Sequence, residues 1–201
     1  EVWGAVVPTW TWRTVVATTG IERLVVDNEL VLNDDRAVNA IQAMADLWLV
    51  HGVAPGPSAD MGGDPFVSER AALNLTGSWV IGTYSSADIG FDVGFCTPPQ
   101  RETVGTYVTP AAHSVADAST HTQAAYDFAR FISVKDAEVV QAFQEAGRLK
   151  GPVTKGPSPH AELYFSPPGE EMKRFSEELM EYGVFYLAGP PKIAEVERAI
   201  S

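Results

Sequence analysis

Residues Phe66 to Tyr84 read Phe-Val-Ser-Glu-Arg-Ala-Ala-Leu-Asn-Leu-Thr-Gly-Ser-Trp-Val-Ile-Gly-Thr-Tyr, and their order decides the expected fold class. Ala71, Leu73 and Leu75 alternate with Ala72, Asn74 and Thr76, the period of a short strand. Gly77 ends that strand, and Ser78 stands ready to cap a following helix. Trp79 then falls in the first turn of a helix at the carboxyl end of a strand, where open α/β sheets bind their ligands. An indole there has a broad rigid face for stacking and one N–H for a hydrogen bond. The same indole could instead plug the strand-to-helix corner as core. The residues alone leave both readings open.

The chain has 201 residues, 45% of them hydrophobic, enough for one substantial core or two small ones. Its net charge of −12, from 14 basic and 26 acidic residues, repels nucleic acid and anionic membrane surfaces and leaves neutral or cationic ligands open. The single Cys96 excludes an internal disulfide and a cysteine-based zinc cluster. No apolar run reaches the roughly 18 residues of a membrane span, so this segment is expected not to insert. The opening Glu-Val-Trp-Gly-Ala-Val-Val reads as mid-domain strand, and the expectation is a piece of a longer polypeptide.

From the start, Val2 to Val7 reads as a strand closed by Pro8. Thr9 or Thr11 caps a short helix that stops at Gly20. Trp10 and Trp12 sit at its start, either as a hydrophobic contact within the fold or as ligand contacts. Leu24 to Leu32 reads as a hairpin turning at Asp27-Asn28, and Asn33 caps the next element. A helix follows from Asp34 to His51, with Val38, Ile41, Ala45 and Trp48 inward, flanked by Met44 and Leu47, Asp34 and Asp35 in its first turn and Gly52 as its stop. Val53 to Asp64 is loop, in which Asp60 and Asp64 either meet a ligand or are solvated.

A further strand is expected at Phe91–Phe95, closed by Pro98-Pro99, and another strand or bend at Val104–Val108 and Ser114–Ala116. A helix from Thr120 to Ser133 places Ala124, Phe128, Phe131 and Ile132 inward, and a second places Val139, Val140 and Phe143 inward before Gly147. Lys150 to Pro168 is a connector, Glu170 to Tyr182 an amphipathic helix, and Lys192 to Ala199 a last short helix. Strands interspersed with helices give α/β.

Catalytic signatures are missing. Gly62-Gly63 and Gly77 lack the spacing and the lysine of phosphate loops. His51, His113, His121 and His160 form no helical pair. Ser78 lies outside a Gly-x-Ser-x-Gly elbow. Asp60, Asp64, Asp88, Asp92 and Glu102 leave a carboxylate pair for glycoside cleavage open without singling one out. What accumulates instead is aromatic: Trp10, Trp12, Trp79, Tyr84 and Tyr107 all fall at expected strand ends or turns.

Several segments together carry a resemblance. Asp34-Asp35-Arg36-Ala37-Val38 opens a helix that closes at His51-Gly52-Val53-Ala54-Pro55, and Phe66 to Leu73 and Thr76-Gly77-Ser78-Trp79 follow. Further on come Gly94-Phe95-Cys96-Thr97-Pro98-Pro99, Ala125 to Ser133, and the turn Gly147 to Val153. In this order they resemble the family 1 extracellular solute-binding proteins of ABC importers, the maltose and sugar-binding group. Family members are about twice as long, so the resemblance is to their second half.

That resemblance implies a periplasmic-binding-protein type II-like lobe, with a mixed sheet flanked by helices. Residues 1–104 would be the α/β core of the second lobe, 105–154 the crossover and helices of the first, and 155–201 a helical return. It implies a non-catalytic component that captures a sugar or oligosaccharide between lobes for permease subunits. No cofactor or metal is implied, and the setting would be periplasmic or extracellular, with a lipid anchor on the intact protein. Trp79 matches the Gly-x-Trp aromatic that stacks on a sugar ring. Trp10, Trp12, Thr106, Tyr107 and Arg148 are the further ligand-binding candidates. The same fold binding a polar non-sugar solute, such as a glycerol phosphate or a peptide, is one alternative, and a carbohydrate-active hydrolase is another.

Overall fold

Strand β4, Ala71–Asn74, forms where the alternation places it and pairs in parallel with β1, Trp3–Val6, in the register Trp3↔Ala71, Ala5↔Leu73 and Val6↔Asn74. This is a computed structural model, and it describes residues 1–27, 29–86, 89–109, 113–132, 137–146, 174, 177, 181–184 and 186. The pairing is extended at both ends, by Trp3 N–H to the Arg70 carbonyl at 2.7 Å and Leu75 N–H to the Val6 carbonyl at 2.9 Å. Of the alternating apolar set, Ala71 is buried and Leu75 half-buried, while Leu73 is 63% exposed.

The chain divides into two compact units, one of residues 1–76, 96–109 and 179–201, the other of 77–95 and 110–178. Residues 77–95 thus group with the later helical segment rather than with the rest of 1–104. Helices and small sheets together make a mixed α/β chain at the coarse level. Among the described residues the sheets are pairs: β1 with β4, the hairpin β2 (Val25–Val26) with β3 (Glu29–Leu30), and β5 (Thr106–Tyr107) with β6 (Gly183–Val184).

In the first unit, Pro8 precedes a 3-10 turn, Thr9–Thr11, that runs into α1, Trp12–Ala17. Thr11 stands at the cap position of α1 but does not cap it. Its hydroxyl turns back and donates to the Pro8 carbonyl at 2.6 Å. Gly20, at φ +74°, ends the helical run as its sequence position predicts. The buried hydroxyls of Thr18 and Thr19 donate to the Val15 and Val16 carbonyls at 2.7 and 2.8 Å, so neither is orphaned. Gly105 packs so tightly on this end of α1 that a Cβ would collide with the Ala17 carbonyl.

Helix α2, Asp35–Leu49, is capped by Asp34 and not Asn33. The Asp34 carboxylate accepts from Arg36 N–H at 2.8 Å, and the Arg36 guanidinium closes on it through Nε at 3.0 Å and Nη2 at 2.8 Å. Those bonds hold the Asp34 carboxyl well down, at about 2. The buried face is Ala37, Ala40 and Met44, with Ile41, Leu47 and Trp48 half-buried beside it, whereas Val38 is 49% exposed. The most buried positions are turned one residue from Val38: Ala37 and Ala40 are fully buried, as is Ala17 on α1, the helix that packs on α2. Trp48 belongs to the core margin, its Nε1 donating to the Val7 carbonyl at 3.2 Å. Gly52, at φ +61°, stops the helix, with Val50 and His51 N–H both donating to the Asp46 carbonyl.

The core of this unit joins Val7, Trp12, Val16, Ala17, Ile21, Leu24, Ala37, Met44, Ala54 and Tyr186. Segment 53–64 is loop, as expected. Its acids shape it: Asp60 Oδ1 accepts from Gly62 N–H, and Asp64 Oδ1 accepts from Phe66 N–H at 2.9 Å.

In the second unit a 3-10 turn, Ser78–Val80, leads into α3, Ile81–Ser86. Residues 91–95 and 114–116 form no strand. Alternation is a property of one segment, whereas a strand is fixed by ladder bonds between two backbones. Helix α4, Thr122–Ile132, forms, and just ahead of it Ser119 Oγ accepts from His121 N–H at 3.2 Å. The expected inward face is not buried: Ala124 is exposed, Phe128 is 62% exposed and Phe131 55%. Helical periodicity marks the face that would gain from cover and supplies none. Helix α5, Ala137–Glu145, leaves Phe143 38% exposed. The expected turn at Gly147–Val153, the connector 150–168 and the helix 192–199 lie outside the described residues, as does most of the helix 170–182. Among the described residues no helix is long and apolar enough to cross a membrane.

Candidate functional site

Trp79 lies where the chain leaves β4 and turns. Gly77 holds the cap position of the 3-10 turn with no side-chain bond, so Ser78 does not serve as the expected cap. Val80 N–H donates to the Gly77 carbonyl at 3.2 Å and closes the turn. Trp79 is 48% exposed, which rules out the corner-plug reading. Its six-membered ring lies against Gly77, at the position a Cβ there would occupy. A large aromatic surface is therefore held partly in solvent on a short turn, where part of it is open to stacking.

The remaining described candidates fall in the first unit. Trp10, in the 3-10 turn, is 42% exposed. Trp12, two residues on, is only 2% exposed and belongs to the core, so it presents no face to a ligand, contrary to the expectation. The cause is geometric: Trp12 opens α1 on the side packed against the core, while Trp10 lies on the outside of the preceding turn.

Arg13 lies over the Trp12 ring, its Cζ 4.7 Å from the centroid, and 5.4 Å from the centroid of Tyr107. Tyr107, half-buried in β5, stacks on Tyr186 with centroids 5.9 Å apart and planes at 18°. The Tyr186 hydroxyl donates to the Ile21 carbonyl at 2.6 Å, and burial raises its ionisation above the ordinary phenol range. Fold contacts thus join Trp12, Arg13, Tyr107 and Tyr186 into a layered cluster. Thr106 is half-buried in the same strand. Arg148 lies outside the described residues.

Sequence reasoning missed Tyr186 and β6. The signal was present in Gly183-Val184-Phe185-Tyr186-Leu187, a short aromatic and β-branched run after glycine. A surface groove of about 370 Å³, bordered by Ile21, Arg23, Val26, Val31, Asp34 and Arg36, includes none of the five described candidates. Asp34 and Arg36 there are already paired with each other at 2.8 Å. Among the described residues no group of three or more histidines, cysteines or carboxylates could hold a metal ion. No known family model matches the chain, and no curated protein matches it significantly.

Proposed function

We propose that this chain belongs to the substrate-binding component of an ABC importer, which captures a sugar or oligosaccharide and delivers it unchanged to permease subunits. The observation that carries the proposal is the half-exposed indole of Trp79, held on a short turn after β4. An indole face covers the C–H face of a pyranose and leaves the sugar hydroxyls to polar neighbours, a combination that suits a small set of anchors in a pocket. The acidic balance of the chain favours a neutral ligand over an anionic one. In this proposal the intact protein has a periplasmic-binding-protein type II fold of two lobes that close about a hinge. It works in the periplasm or outside the cell, tethered by lipid, and carries out no chemistry on its ligand.

Calorimetry of the intact protein against maltose, cellobiose, xylobiose and raffinose tests the proposal. Stoichiometric binding with no product formed supports it. Steady release of shorter sugars would show a hydrolase, and binding of glycerol phosphate or peptides with no response to sugars would show a different solute.

A further inference from the structure

We infer that Gly77 is a positioning residue for the Trp79 indole, and that the missing side chain at position 77 sets which aspect of the ring a ligand meets. The inference rests on the proposal that Trp79 is the stacking residue of a sugar site. Backbone conformation gives no reason for glycine at 77: φ −101° and ψ 164° are extended values open to any residue. Space gives the reason. A Cβ at 77 would lie well under 3.0 Å from Cε3, Cζ3 and Cη2 of Trp79, closer than real Cβ atoms approach other atoms.

Those three atoms are consecutive in the ring, and the built Cβ is nearly equidistant from them. It would therefore sit over the ring face, since approach in the ring plane would bring the middle atom much closer than its neighbours. The indole thus rests one face of its six-membered ring on the main chain at 77 and presents to a ligand only what remains exposed. Seat and ring are two residues apart in one hydrogen-bonded turn. Gly94, in the same unit, is a fair comparison, because nothing lies within 4 Å of a Cβ built there.

Gly77→Ala leaves the backbone unstrained, so the variant folds, and the indole has to swing off its seat. The test labels the chain with 5-fluorotryptophan, which gives one fluorine resonance for each of the 5 tryptophans, and Trp79→Phe assigns the one of interest. In Gly77→Ala that resonance moves and its solvent isotope shift grows, while the other resonances and a Gly94→Ala control stay in place. Affinity for the sugar of the panel that binds falls roughly 2- to 10-fold, the worth of one well-placed aromatic contact. A Trp79 resonance unmoved by Gly77→Ala overturns the inference, whatever the sugars do. A resonance that moves while Gly77→Ala and Trp79→Ala both keep full affinity leaves the positioning role standing and removes the sugar-stacking proposal.

Discussion

Replacing Tyr186 by phenylalanine asks how firmly the C-terminal part of the chain is tied into the first unit. The substitution keeps the ring stacked on Tyr107 and removes the hydroxyl that donates to the Ile21 carbonyl at 2.6 Å, where Tyr186 is 6% and Ile21 5% exposed. A typical hydrogen bond contributes about 1 kcal/mol net, and a buried carbonyl deprived of its donor costs more, so the expected loss is about 1–2 kcal/mol. With a urea slope of about 2 kcal/mol/M, the midpoint should drop by about 0.5–1 M at unchanged slope, followed by the fluorescence of buried Trp12.

The same residue carries a pH signature. Burial raises the phenol above its ordinary 10.0, so its contribution is intact below pH 10 and declines as pH climbs beyond that value. The parent should lose stability above pH 10 by a component that the phenylalanine variant lacks, and the two midpoints should converge there. An unchanged midpoint at neutral pH, or a gap that persists in alkali, would refute the assignment of this bond as a link between β6 and the core.

Other expectations follow from single contacts. Asp34→Asn removes a carboxyl held at about 2 in the fold; that stabilisation is present above 3.8 and lost as pH falls from 3.8 to about 2, so the stability gap between parent and variant should close across that window in acid titrations. Gly105→Ala pushes a Cβ into the main-chain carbonyl of Ala17, which cannot swing aside, and should destabilise the first unit by about 1–3 kcal/mol in urea unfolding. Trp79→Ala should weaken sugar binding by about 1–3 kcal/mol in calorimetry, and an unchanged affinity removes Trp79 from the site.

Short-range interactions are why some of this molecule was legible from its residues. Helix α2, its stop at Gly52, the end of α1 at Gly20 and the hairpin of β2 and β3 all depend on contacts a few residues apart. Even there the cap moved from Asn33 to Asp34, because the side chain of Asp34 reaches the Arg36 N–H and pairs with its guanidinium. At the candidate site, composition and position were enough to single out Trp79 as an aromatic on a strand-to-helix turn.

Tertiary structure decided the rest. It separated Trp10 from Trp12, which look equivalent on paper, by burying one and leaving the other 42% exposed. It paired β5 with a strand far along the chain and stacked Tyr107 on Tyr186, and it kept Phe91–Phe95 out of strand conformation. It turned α2 so that Ala37, Ala40 and Met44 rather than Val38 are buried, and laid the Trp79 ring over Gly77. The physical reason is common to all of these. Capping and turn formation are settled by neighbours in sequence, whereas burial, strand pairing and ring placement are settled by which surfaces are available to meet, and those come from distant parts of the chain or from how a turn folds back on itself.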